Sequence, residues 1–339
     1  MTKTLREVSD LAAAGLVAES ELAKLAVVAE KYSIAISPHL QGLLQHEGIR
    51  RQFVPDVAEL ISSKNELTDP IGDQTHSPIK GLIHRYPDRC LLQPVTMCPV
   101  YCRFCFRRET VGQGSAALTA HELNACYEYI QQHPEIWEVI LSGGDPLILK
   151  PKQLQQIITN LDQIKHVEII RFHTRIPTVD PHRVNLDLIK VLTQRRPIYV
   201  VLHINHPAEF SPAALDAINM LADNGIVLLG QSVLLKGVND NIETLSQLFR
   251  AMVKYRIKPY YLHHVDLAAG TSHFRTTIAR GQELMTQLRG TYSGLCQPQY
   301  VLDIPGGAGK SPIGPNYLTS QQSGYQIANF NGKEHFYEE

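Results

Sequence analysis

Seven short, β-prone apolar runs alternate with six amphipathic segments along most of this 339-residue chain, and that alternation limits the fold more than any other feature. The runs cover 90–95, 138–141, 167–172, 198–204, 226–233, 260–263 and 299–302. The segments between them carry apolar residues at three- and four-residue spacing over 120–132, 152–164, 186–194, 212–224, 242–255 and 277–288. Strands separated by helices of roughly 10–15 residues read as repeated βα units around a parallel sheet. Six or seven such units predict an α/β barrel or partial barrel, and the pattern alone also admits an open doubly wound sheet.

Ahead of the alternation, residues 5–60 read as helical, most clearly in Leu22-Ala23-Lys24-Leu25-Ala26-Val27-Val28-Ala29-Glu30-Lys31. A polar, proline-containing stretch over 66–78 marks a boundary. The expected organisation is an N-terminal helical region (1–75), the barrel (76–317) and a polar, aromatic tail laid on the surface (318–339).

Lys and Arg total 32 against 33 Asp and Glu, and no basic run interrupts the balance. That argues against nucleic acid or an anionic membrane as partner. No signal peptide is read at the N-terminus and no long apolar stretch follows, so the expected location is cytoplasmic.

Three of the six cysteines fall within eight residues, in Met97-Cys98-Pro99-Val100-Tyr101-Cys102-Arg103-Phe104-Cys105. This follows the first run, where barrel chemistry collects. The spacing is too tight for a disulfide framework and points to metal or catalysis. Three thiolates would leave one iron of a four-iron cluster open. A zinc site completed by Cys90 or a histidine, or a redox pair at Cys102 and Cys105, are the other readings; the chain offers no second ligand pair, and the redox pair leaves Cys98 unexplained.

Two glycine-bearing stretches sit after other strands. Ser142-Gly143-Gly144-Asp145-Pro146 is either a turn or a place where backbone approaches a ligand. Asp303-Ile304-Pro305-Gly306-Gly307-Ala308-Gly309-Lys310-Ser311 ends in Lys-Ser, as a P-loop does. Ile304 stands where that motif needs glycine, and Pro312 and Pro315 oppose the helix it must open. Lys310 could instead form a Schiff base with pyridoxal 5′-phosphate (PLP), the glycines giving room and backbone amides for its phosphate.

The cysteine spacing, with an aromatic residue before the last cysteine, resembles the radical S-adenosylmethionine (SAM) superfamily, and Ser142 to Pro146 resembles its SAM-amino motif. Together with the Lys310 loop, in that order, these resemble lysine 2,3-aminomutase. His84-Arg85-Tyr86-Pro87-Asp88-Arg89, Arg107-Arg108, His203-Ile204-Asn205-His206-Pro207, Gly230-Gln231-Ser232, Asp266 and His273-Phe274-Arg275-Thr276 extend the similarity from about 84 to 317.

The resemblance implies a partial (β/α)6 TIM-like barrel, a [4Fe-4S] cluster on Cys98, Cys102 and Cys105, SAM near Ser142, Gly143, Gly144, Asp145, His203 and Gln231, and PLP on Lys310 beside Arg85, Tyr86 and Arg89. Arg107 would grip the substrate α-carboxylate, while Asp266 and Asp303 would receive the ε-ammonium of L-lysine. It also implies an isomerase that moves the 2-amino group to carbon 3 through a 5′-deoxyadenosyl radical. An electron donor such as a flavodoxin or ferredoxin, and a homo-oligomer, would be its partners. The chain departs from the longer members, which carry zinc-binding cysteines in a C-terminal extension, since its last cysteine is Cys296. His263 stands where a tyrosine is expected near PLP. Length and Tyr261-Leu262-His263 are similar to a relative that makes β-lysine for attachment to elongation factor P, and that alternative role has the same chemistry. A zinc-stabilised binding module is the reading from another class.

Overall fold

The computed structural model describes residues 3–112, 116–193 and 196–339, and its centre is a nine-stranded sheet whose spatial order is the chain order. Four short helices come first: α1 (Val8–Ala13), α2 (Leu22–Lys31), α3 (Pro38–Gln41) and α4 (Glu47–Phe53). The helical stretch expected over 5–60 is therefore broken. Gly15 turns the chain after α1 at φ +67°, and an antiparallel bridge between Leu5 and Ile36 closes the next excursion.

The sheet begins with a hairpin, β1 (Leu82–Tyr86) antiparallel to β2 (Arg89–Val95). Parallel to β2 follow β3 (Glu138–Gly143), β4 (Ile169–Thr174), β5 (Ile198–His203), β6 (Val227–Leu234), β7 (Ile257–His264) and β8 (Gln299–Ile304). The crossovers are α5 (Ala120–Gln132), α6 (Pro151–Asp162), the pair α7 (Ile176–Val179) and α8 (Leu186–Leu192), α9 (Pro212–Asp223), α10 (Ile242–Lys254) and α11 (Ile278–Thr291). These make six βα units and a seventh parallel strand. A doubly wound sheet would reverse its strand order at a switch point; this one does not, so the partial barrel is correct. Residue 194, the expected end of α8, lies outside the described residues.

The helices start where their caps direct. Thr119 and Glu122 exchange hydrogen bonds in a capping box at α5, and Asn241 accepts from the Thr244 amide at α10. The strands read as continuous apolar runs because both faces are covered: Val139, Ile140, Leu141 and Ser142 are all buried in β3.

Two differences from expectation concern the chain ends of the barrel. The sheet closes on β9 (Gly309–Pro312), antiparallel to β8, whose glycine and proline disguise it as loop. The expected surface tail is a three-stranded antiparallel sheet of β10 (Leu318–Gln321), β11 (Gly324–Ala328) and β12 (Glu334–Glu338). It touches α11, where Arg289 lies over the Tyr317 ring at 4.9 Å.

Candidate active site

Every residue given a cluster, SAM, PLP or substrate role lines one cavity of about 640 Å³ among the sheet's strand ends, whereas His84, Arg108, His206 and His273 do not. The residues arrive from different strands, which is how a parallel barrel gathers chemistry from positions remote in sequence.

The cysteine loop leaves β2 and is held from below by the N-terminal helices. Val100 packs into the apolar cluster of Ile36, Leu40, Ile49 and Phe53, and Tyr101 into that of Leu25, Val28 and Tyr32. Backbone amides anchor it too: Tyr101 donates to Ala35 O at 2.9 Å and Arg103 to Gln52 O at 2.8 Å. Between the second and third cysteines, Arg103 is buried and pairs with buried Glu59, which also takes Arg108. Cys98, Cys102 and Cys105 all face the cavity. Burial raises all three thiols, Cys105 to about 11; neighbouring cysteines add to this at Cys98 and Cys105, while Arg175 works against it at Cys102.

At the end of β3, Gly143 (φ +107°) and Gly144 accept the cysteine loop at close range. A Cβ on Gly144 would lie 2.1 Å from Met97 O, and one on Gly143 2.7 Å from Val95 O. The close neighbour of these glycines is thus the protein's own backbone as well as the cavity. Buried Asp145 spends its oxygens inside the protein. It accepts from Thr174 Oγ1 at 2.8 and 2.9 Å, the Arg175 amide at 2.7 Å and the Leu147 amide at 3.1 Å. Burial outweighs those bonds and raises its carboxyl to about 6. Asp145 therefore ties β4 to β3, while its backbone amide reaches Met97 O. His203 and Gln231 sit opposite each other in β5 and β6. His203 is half-buried and its buried Nε2 has no partner; burial, then the charge of Arg175, holds it neutral.

The far wall is built on β1, β8 and β9. Lys310 donates its backbone amide to Tyr86 Oη at 2.8 Å, which joins the two edge strands of the sheet. Arg89 lies over the Tyr86 ring at 4.0 Å. Gly307 (φ +90°) shapes the turn before Lys310, its carbonyl 2.9 Å from His76 Nε2. The Lys310 ammonium is paired with Asp303, and His263 Nδ1 is 3.4 Å from the same nitrogen and 3.5 Å from Asp303 Oδ2. Burial alone would raise Asp303; hydrogen bonding from His263 and the Lys310 charge override it and keep the carboxylate ionised. Asp266 has no such partner, and burial followed by the charge of Asp303 raises it to about 7. Arg107 Nε donates to Asp73 Oδ2 at 2.7 Å, and Arg85 reaches Asp73 Oδ1 at 3.2 Å.

Several cavity residues escaped the sequence reading. Asp73 lies in the polar stretch taken as a boundary, where nothing sets it apart from its neighbours. His173 and Arg175, at the end of β4, had the signal of strand-end position. His173 and His263 are half-buried, each with a buried, unpartnered Nε2, and burial lowers both.

The donor set fits the expected groups. Three half-buried cysteines share one loop, and their neighbours raise the proton affinity of Cys98 and Cys105, a conflict that a cationic iron core removes. Among the described residues no group of three or more His, Cys, Asp or Glu side chains is arranged around one metal ion. Unpartnered imidazole nitrogens and a lysine beside a Gly-rich turn suit polar, phosphate-bearing ligands. No helix among the described residues is long and apolar enough to cross a membrane.

Comparison with known proteins agrees with this chemistry. Residues 92–249 match the Radical SAM superfamily, and 285–339 match the family described as Lysine-2,3-aminomutase. The chain is 40% identical over 304 residues to L-lysine 2,3-aminomutase of Clostridium subterminale, covering 88% of this chain and 73% of that one. It is 41% identical over 311 residues to the enzyme of the same name from Acetoanaerobium sticklandii, covering 90% and 75%. Glutamate 2,3-aminomutase of Clostridioides difficile is 34% identical over 302 residues, covering 88% and 71%.

Proposed function

This chain belongs to the lysine 2,3-aminomutase family of radical SAM enzymes, and on that premise we propose that it converts L-lysine to β-lysine. It is an isomerase: the C2–N bond breaks, a C3–N bond forms, and one hydrogen passes from C3 to C2, with no net oxidation. Membership implies a [4Fe-4S] cluster, SAM and PLP. When bound, the cluster with SAM supplies a hydrogen-abstracting carbon radical, and PLP supplies a π system that delocalises the unpaired electron beside the migrating nitrogen.

The observation that carries the reading of the substrate is that one cavity is lined both by Arg107 and by the two carboxylates Asp266 and Asp303. A carboxylate and an ammonium need opposite charges at both ends of a buried site. Arg107 offers a planar fork for the α-carboxylate. Asp303 holds the Lys310 ammonium in the structure. With PLP bound, Lys310 would hold the cofactor, and Asp303 and Asp266 would receive the substrate ε-ammonium. Tyr86 holds the Lys310 backbone, so the anchoring nitrogen stays in register. Cys98, Cys102 and Cys105 would hold the cluster, with Ser142, Gly143, Gly144, Asp145, His203 and Gln231 around SAM. The reaction would need the bound ligands to keep out the water and oxygen that quench it.

A low-potential donor such as a flavodoxin or ferredoxin would reduce the cluster. Use of the product on elongation factor P requires the same chemistry and gains no further support from the geometry. The test is a competition: the reconstituted, reduced enzyme is given equal L-lysine and L-glutamate. β-Lysine as the product supports the reading, and β-glutamate instead would refute it.

A further inference from the structure

Arg175 follows β4 directly and is buried, yet its guanidinium reaches a sulfur. Nη1 donates to Cys102 Sγ at 3.0 Å. Nη2 donates to Glu209 Oε2 at 3.0 Å and to Gln52 Oε1 at 2.5 Å. Phe53 and Phe104 flank the group, their ring centres 4.7 and 5.4 Å from its central carbon. The partners are themselves fixed. Glu209 is fully buried and accepts the Asn205 and His206 amides at 2.9 and 3.0 Å. Gln52 donates to Gly48 O at 2.8 Å within α4. The cation is therefore held in place before any ligand arrives.

We propose that Arg175 is a positioning residue that sets the reduction potential of the cluster on Cys98, Cys102 and Cys105, and that α4 supplies its clamp through Gln52 and Phe53. The inference rests on the reading above, that these thiols hold a cluster. Reduction adds one negative charge to the cluster. A fixed cation donating to a ligand sulfur stabilises the reduced state more than the oxidised one, and does so strongly where water is excluded. Buried Glu209 has the opposite effect and limits it. This also gives the N-terminal helices a task in the chemistry.

The experiment is an anaerobic redox titration of the reconstituted full chain without SAM, followed by electron paramagnetic resonance after iron and sulfide are quantified. Arg175→Gln should carry the cluster with a more negative midpoint. At the wild-type midpoint potential its reduced-to-oxidised ratio should fall about tenfold, equivalent to about 59 mV for one electron. Arg175→Lys should lie between, and Glu209→Gln should move the other way, because it removes the opposing charge. A merely structural role would impair cluster loading in both variants and give no opposed shifts. An unchanged midpoint in loaded Arg175→Gln, or shifts of the same sign in both variants, would overturn the proposal. Should Arg175→Gln fail to load, Glu209→Gln decides: a more positive midpoint supports the proposal, and an unchanged or more negative one overturns it. A wild-type chain that takes up no iron or sulfide would instead overturn the cluster reading on which this depends.

Discussion

Arg107 donates its Nε–H to Asp73 Oδ2 at 2.7 Å, so the arginine matched to the substrate carboxylate is itself held by a carboxylate from the segment before the barrel. The other oxygen of Asp73 takes Arg85 at 3.2 Å. One acidic residue thus orients two arginines that face the same cavity.

Asp73→Ala should leave Arg107 free to turn and raise KM for L-lysine about tenfold with a smaller change in kcat. A charge-assisted hydrogen bond is worth roughly 1.5–3 kcal/mol, enough for that effect. Steady-state kinetics on enzyme with equal iron and PLP content checks it.

Asp303→Asn removes the ionised member of the acidic pair and should lower kcat/KM for L-lysine by about a hundredfold. Leaving a buried ammonium without its anion costs roughly 2–5 kcal/mol. The measurement is activity over a range of lysine concentrations.

Asp266 gives the pH dependence. Burial and the charge of Asp303 raise it to about 7, so near neutrality it is partly protonated in the free enzyme. The substrate ammonium favours its ionised form. Raising pH up to about that value should therefore tighten lysine binding, with no further gain once Asp266 is ionised in the free enzyme, and binding below it should release a proton. Calorimetry of lysine binding in buffers of different ionisation enthalpy reads the proton directly. Asp266→Asn should abolish both the release and the pH step.

Glu59 is buried against Arg103 and Arg108. Glu59→Gln leaves two buried guanidinium groups without a counter-charge and should cost about 3–5 kcal/mol of stability. A lowered thermal midpoint with reduced iron loading is the expected result, because Arg103 lies inside the cysteine loop.

Much of this was legible from residue order. The α5 boundaries fell where expected because Thr119 and Glu122 form a local cap, and β3 and β5 were visible because strands covered on both faces must be apolar. The three cysteines stood out by their spacing, and Lys310 only through the resemblance that the other motifs carry. β1 was hidden because Arg85 and Tyr86 are polar residues facing the cavity and His84 pairs with Tyr129 of α5, and β9 because its strand begins with glycine and ends with proline. Asp73, Gln52 and Glu209 gave no local signal. Their roles come from partners 34, 123 and 34 residues away, which only the fold brings together.

The central claim is nitrogen migration on lysine by an enzyme anchored at Lys310, and the most direct measurement follows the atom. The chain is reconstituted without oxygen with iron, sulfide, PLP and SAM, reduced with dithionite, and given L-lysine carrying ¹⁵N at the α-position. β-Lysine with the label on carbon 3 is expected, and none from Lys310→Ala or Cys102→Ala. Intact cluster and bound PLP with unchanged lysine, or label remaining on carbon 2, would contradict it.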